Sequence, residues 1–271
     1  MVPATEVLKI NLGETKLVIL EFLRKLLEES GADGYVLGLS GGVDSSVVAK
    51  LCVEAVGREK VLGLIMPSNT TPQEDTLDAE RIASMLGIEY EVIDITTISD
   101  SLASICKHES QASMIAKGNI KSRVRMIVLY YHANILNRLV AGTGNRSEIL
   151  IGYYTKYGDG GVDCLPIGNL YKTQVRQLAE HLGIPASIIW KTPSAGLWKG
   201  QTDEDEIGLK YEQLDLLLYY LCDLGMNAET TSKLVSIQTE LAEKILMKIK
   251  MSEHKRRPIP MPPIPTVLTW R

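Results

Sequence analysis

Apolar positions along the chain switch between two periods. Over residues 5–30 they recur at helical spacing, with Leu8, Leu12, Leu17, Leu20, Leu23 and Leu27 on one face, which predicts an amphipathic helix ended by Gly31. From residue 35 onward, short apolar runs alternate with helical stretches. "YVLGLS" (35–40), "KVLGLIMP" (60–67) and "EYEVIDI" (89–95) read as strands, and residues 43–57 and 71–87 as the helices between them. Strands separated in this way need right-handed crossovers. The pattern therefore predicts an α/β fold, a doubly wound and mostly parallel sheet with helices on both faces.

Residues 110–138 predict a long helix of a different kind. Ile120, Val124, Ile127, Tyr131 and Ile135 share helical spacing, but Met126, Val128, Leu129 and Tyr130 occupy other faces. A helix apolar nearly all round is covered on several sides, and its place outside the first strand–helix units points to a subunit interface. "RLVAGTGN" (138–145) reads as a strand entering a turn. Residues 169–185 read as a helix ended by Gly183 and Pro185, and 227–255 contain a last helix with Leu234, Ile237, Leu241 and Ile245 inward. Five prolines between 258 and 265 require an extended tail. With no internal repeat, residues 1–271 are expected to form a single domain. It comprises an N-terminal helix (5–30), a nucleotide-binding core (about 34–190) and C-terminal helices with a tail (about 203–271).

Composition adds mainly exclusions. A net charge of −4 is a poor basis for a dedicated nucleic-acid or membrane-surface binder. No leader-like start and no run of membrane-spanning length is visible. Cys52, Cys106, Cys164 and Cys222 form no CxxC pair, which argues against zinc and disulfides and for a reducing, cytoplasmic setting.

The chemistry begins at "GLSGGVDSS" (38–46), a Gly/Ser-rich turn between a strand and a helix. Such a turn aims free backbone N–H groups at an anion. It lacks the lysine of GxxxxGK[ST] and the spacing of GxGxxG. A plain alternative is a tight turn in which Asp44 caps the helix. The order SGGxDS resembles the pyrophosphatase loop of the N-type ATP pyrophosphatases, in which the aspartate holds Mg²⁺ against ATP phosphates. Mg²⁺ takes one or two carboxylates with water and phosphate oxygens, so a further acid is expected elsewhere.

Five further blocks follow in order: "GNIKSRVRM" (118–126), "GTGNRSEILIGYYTKYGDGGVD" (142–163), "LPIGNLYKTQVR" (165–176), "TPSAGLWKGQTDEDEIG" (192–208) and "EHKRRPIP" (253–260). Together they resemble the ammonia-dependent NAD synthetases over nearly the whole chain. The resemblance implies an adenine-nucleotide alpha-hydrolase-like, Rossmann-like fold and a homodimer. It also implies ATP- and Mg²⁺-dependent amidation of deamido-NAD by ammonia through an adenylate. ATP would be bound by Gly38, Leu39, Ser40, Gly41, Gly42, Val43, Asp44, Ser45, Ser46, Thr143, Lys172 and Ser194, where relatives commonly carry threonine at the last position. Asp44 and Glu148 would hold Mg²⁺, and Lys172, with Asp44, would serve catalysis as the cation missing from the loop itself. Arg123, Lys156, Asp163, His254 and Lys255 would contact deamido-NAD, with Arg125 less secure.

Without the resemblance, plainer readings stand for these residues. Glu148 is a solvated helix-start acid, Lys172 an exposed helix lysine, and "HKRR" a basic helix end. "TDEDE" (202–206) is a lid element or a helix start with Thr202 and Asp205 at capping spacing. No residue resembles an activated nucleophile, so no glutaminase domain is expected, and ammonia is the expected nitrogen donor. The rival readings are another adenylating ligase of the superfamily and a passive nucleotide-holding module. The second has no need of Asp44, Glu148 and Lys172 together.

Overall fold

The computed structural model describes residues 4–198 and 200–262. The N-terminal helix predicted over 5–30 is two helices, α1 (Ala4–Val7) and α2 (Leu12–Ser30). They part at Asn11, whose side chain caps α2 by accepting from the Glu14 amide at 3.2 Å. Leu17, placed inward by its spacing, is 64% exposed, and Ile19 is buried beside Leu20, Leu23 and Leu27.

The predicted alternation follows. Strand β1 (Gly34–Gly38) leads to α3 (Val43–Val56), β2 (Val61–Ile65) to α4 (Gln73–Leu86), and β3 (Glu89–Val92) to α5 (Thr96–Ser104). Next come α6 (Met114–Leu136), β4 (Arg138–Val140), α7 (Arg146–Ile151), α8 (Lys172–His181) and α9 (Ala186–Ile189). The sheet is parallel with strand order β3-β2-β1-β4. Tyr35, Leu37, Val61 and Ile65 pack with α2, α3, α4 and α8 on one face. Val36, Leu62, Leu64 and Val140 meet Ile95, Val124 and Ala133 on the other. Strand alternation thus produces both covered faces. The chain winds from β1 toward β2 on one side and later returns to β4 on the other. A crevice opens at such a reversal, beyond the carboxyl ends of the strands.

The C-terminal part contains α10 (Asp203–Ile207), α11 (Tyr211–Leu218), α12 (Ala228–Val235), α13 (Thr239–Met251) and α14 (Glu253–Arg256). The single last helix expected over 227–255 is therefore broken, at Ser236 with φ 57° and again at Ser252. Leu234, expected inward, is 47% exposed, whereas Ile245 is fully buried. These helices share an apolar cluster with Ala4 and Leu8, with Ile151 of α7 and with Tyr171, just before α8. That packing fixes α7 and α8, which carry much of the site. Residues 257–262 are neither helix nor strand, and the rest of the expected extended tail lies outside the described residues. Among the described residues, no helix is long and apolar enough to cross a membrane.

Candidate active site

A cavity of about 950 Å³ opens beyond the carboxyl ends of β1, β2 and β4. The loop after β1 forms one wall, and its sequence is set by space. Gly41 has φ 77°, and a Cβ there would lie 2.2 Å from the Asp75 carbonyl oxygen of α4. Only glycine fits that backbone and that approach. The serines brace the turn. Ser45 Oγ and Ser46 Oγ donate to the Gly42 carbonyl at 3.1 and 2.8 Å, and the Ser40 amide donates to Ser45 Oγ at 3.3 Å. Gly42 caps α3 without any side-chain bond, leaving the first-turn amides for a ligand.

Asp44 does not cap its helix. Its Oδ2 is paired with Lys172 Nζ, and its Oδ1 accepts from Asn145 Nδ2 at 3.1 Å. Asn145 is fully buried and caps α7. Its Oδ1 accepts from the Glu148 amide at 3.1 Å, and its own amide donates to Glu148 Oε2 at 3.3 Å. This reciprocal capping box fixes the Glu148 carboxylate toward the cavity. Glu148 Oε1 lies 3.7 Å from Lys172 Nζ. Lys172, in turn, is buried, with its ammonium 5.2 Å from the centre of the Tyr211 ring. Neither Glu148 nor Lys172 is a solvated surface group.

The charges in this corner do not balance. Burial, reinforced by the neighbouring Asp44, pushes the Glu148 carboxyl up to about 8 against the pull of Lys172. Burial alone would lower the Lys172 ammonium, but Asp44 and Glu148 outweigh it and push it up to about 12. Two acids thus share one lysine in this corner of the cavity. Asp203 adds a third carboxyl, raised by burial, with Oδ2 accepting from Tyr211 Oη at 3.0 Å. Among the described residues no three His, Cys, Asp or Glu side chains converge as a ready-made metal cage. Two converging acids beside an open cavity suit Mg²⁺, which keeps water and phosphate oxygens as its other ligands.

The other expected contacts divide into those the fold gathers and one it sets apart. Thr143 and Ser194 line the cavity, and Ser194 Oγ accepts from the Gly196 amide at 3.1 Å. Arg123, Lys156, His254 and Lys255 line its other end. There Arg123 Nη2 donates to the Lys156 carbonyl at 3.3 Å, and Lys156 Nζ donates to the His254 carbonyl at 3.0 Å. Lys255 Nζ is held by the Gly152 and Tyr154 carbonyls at 2.7 and 2.6 Å. Arg125 also lines the cavity, its Nε donating to the Met66 carbonyl at 3.1 Å. Asp163 is not among the lining residues. Its Oδ1 accepts from Tyr130 Oη at 3.0 Å and its Oδ2 from the Val140 amide at 2.7 Å.

The sequence did not single out Asn145, Ser147, Asp203 or Tyr211. The N-x-x-E spacing of Asn145 and Glu148 was a usable capping signal. Ser147 and Tyr211 depend on contacts distant along the chain, with Asp215 and Lys172, while Asp203 is held by Tyr211 eight residues away. The segment 202–206 is a helix start, with the Asp205 amide donating to Thr202 Oγ1 at 3.2 Å. It also borders the cavity through Asp203 and Glu206.

Residues 16–259 match the family model described as NAD synthase. The chain is 51% identical to the NH(3)-dependent NAD(+) synthetase of Methanosarcina acetivorans over 90% of its own length and 95% of the relative's. Among solved structures, it superposes on the NMN synthetase of Francisella tularensis with a TM-score of 0.81. That pair shares 35% identity, covering 94% of this chain and 100% of the other. An NH3-dependent NAD synthetase from Campylobacter jejuni superposes with a TM-score of 0.76 at 30% identity, covering 94% and 99%. With the loop, the acid pair and the lysine arranged in one crevice, the matches establish that the chain belongs to the NAD synthase family.

Proposed function

We propose that this chain uses ATP to amidate deamido-NAD with ammonia, releasing AMP and pyrophosphate and completing NAD biosynthesis. The observation that carries the reading is the convergence of Asp44 and Glu148 on Lys172 at the open end of the SGGxDS loop. A carboxylate resists amines because oxide is a poor leaving group, whereas AMP is a good one. The substrate's nicotinate carboxylate oxygen attacks the ATP α-phosphorus and pyrophosphate leaves. Ammonia nitrogen then attacks the acyl carbon, AMP leaves, and the nitrogen loses a proton.

The protein's part is positioning and charge neutralisation. The loop amides hold the departing pyrophosphate, and Lys172 reaches its phosphate oxygens. Asp44 and Glu148 would hold Mg²⁺, which when bound supplies the positive charge that the triphosphate and these acids lack. Arg123, Lys156, His254 and Lys255 surround deamido-NAD, and Thr143 and Ser194 lie beside ATP. Asp163, exposed although bonded to Tyr130 and the Val140 amide, is kept as a dinucleotide contact on the family resemblance. The chain works as a symmetric homodimer with α6 at the interface, a reading supported by the exposed apolar side chains along that helix. The four free cysteines suit a cytoplasmic enzyme, and the chain acts as a single catalytic unit.

One similar structure is named NMN synthetase, so the mononucleotide acid that yields NMN is the competing acceptor. The test is incubation with ATP, Mg²⁺ and ammonia, offering deamido-NAD and nicotinate mononucleotide in parallel. NAD formation with the higher kcat/KM for the dinucleotide is expected. Absence of NAD while another carboxylate is consumed would overturn the reading. Asp44→Asn should abolish turnover with the fold intact; retained turnover would remove Asp44 from the chemistry.

A further inference from the structure

Beneath Lys172 and Glu148 lies an acid that faces no cavity. Asp215, on α11, is completely buried and does not line the site. Each of its oxygens takes one donor. Oδ1 accepts from Ser147 Oγ at 2.5 Å, and Oδ2 accepts from the Thr173 amide at 2.7 Å. Ser147 Oγ accepts in turn from the Lys172 amide at 3.0 Å. Ser147 immediately precedes Glu148, and Thr173 immediately follows Lys172. One carboxylate therefore holds the Ser147 side chain beside Glu148 and the backbone amide that follows Lys172, the two residues whose side chains meet in the cavity.

An acid is a costly choice for such a place. Burial pushes the Asp215 carboxyl up to about 6, although its donors from Ser147 and Thr173 oppose the shift. A leucine, which has the same branching, would avoid that desolvation. It would also leave the Ser147 hydroxyl and the Thr173 amide without an acceptor. The carboxylate meets the start of α8, where free amides and the helix dipole favour negative charge. What the acid secures is the relative placement of α7 and α8.

We propose that Asp215 is a positioning residue for adenylation: through Ser147 and the α8 amides it sets the spacing between Lys172 and Glu148, and with it the seat of the triphosphate. The inference rests on the reading that this cavity binds ATP. Its test compares Asp215→Ala, Asp215→Asn and Ser147→Ala with Leu23→Ala, a fully buried apolar control on α2. ATP affinity is measured by calorimetry with and without Mg²⁺, and kcat and KM are measured per folded molecule.

Asp215→Ala should lower kcat by roughly tenfold to a hundredfold, as expected for a small misplacement of reacting groups. It should also weaken the Mg²⁺-dependent part of ATP affinity and leave KM for deamido-NAD unchanged. Asp215→Asn should retain more activity, because its carbonyl still accepts from the Thr173 amide. Leu23→Ala should lower Tm alone. Variants that lose Tm but keep ATP affinity and kcat per folded molecule would overturn the inference. Should Asp215→Ala fail to fold, Asp215→Asn and Ser147→Ala decide by the same readouts. Wild-type protein that binds no ATP would overturn the functional reading itself; wild-type binding with unaltered variants overturns only the positioning role.

Discussion

Lys172 Nζ stands 3.7 Å from Glu148 Oε1 while also paired with Asp44, so a single ammonium serves two carboxylates from separate parts of the chain. Lys172→Met leaves those acids facing one another with no cation between them. Removing one partner from a buried charge cluster costs about 3–5 kcal/mol. Thermal melts should show that loss without metal and partial recovery when Mg²⁺ and ATP are added together. Equal stability of variant and wild type in the absence of Mg²⁺ would mean that the three charges are not coupled.

Gly41 offers a test of the loop that is independent of charge. Its φ of 77° and the 2.2 Å approach of a Cβ to the Asp75 carbonyl oxygen exclude a side chain unless α4 moves. Gly41→Ala should destabilise the protein by about 1–3 kcal/mol, the usual range for a residue forced into such a backbone conformation. Its KM for ATP should rise more than its KM for deamido-NAD. Equal changes in both constants would show that the loop does not contact ATP alone.

The exposed stripe on α6 bears on assembly. Ile127, Tyr131 and Ile135 are 57%, 65% and 62% exposed and lie four residues apart on one face. Burying the exposed remainder of Ile127 and of Ile135 would contribute about 1–2 kcal/mol each. Tyr131→Asp should therefore halve the mass seen by sedimentation while leaving the circular dichroism spectrum unchanged. A wild-type protein that sediments as an active monomer would remove the interface.

Asp215 predicts a pH dependence of stability with a definite sign. Its folded-state value, about 6, lies above the ordinary carboxylate value, so the folded protein binds this proton more tightly than the unfolded chain. Its stabilising contribution is complete below the unfolded value and disappears as pH rises through about 6. Urea melts should show wild type gaining on Asp215→Asn by up to about 1.4 kcal/mol per pH unit as pH falls from roughly 6 to 4. A difference that stays flat across that window would contradict this environment for Asp215.

Legibility in the sequence followed the range of the contacts concerned. The alternation of strands and helices and the glycine turn were readable because spacing and turn chemistry are local. Leu17 and Leu234 are exposed where their spacing predicts burial, for the opposite reason: helical period supplies an apolar face but not the neighbour that covers it. The break at Ser236 requires a left-handed backbone that serine seldom adopts, so no residue signal marked it. In the site, Asp44 was recognisable within its loop. The support from Asn145, Tyr211 and Asp215 arises from contacts across the fold.

The Asp44–Lys172 pair spans 128 residues of chain, which bears on how the molecule is made. During synthesis, a nascent chain released only through β4 already possesses the glycine turn and its aspartate. It has neither the lysine nor the second acid, and α11 has yet to anchor them. On the roles proposed for Lys172 and Glu148, catalytic competence therefore arrives late in biogenesis, once the carboxyl-terminal helices dock, and protease-trimmed or prematurely terminated products that lack those helices carry the glycine turn as an inert relic.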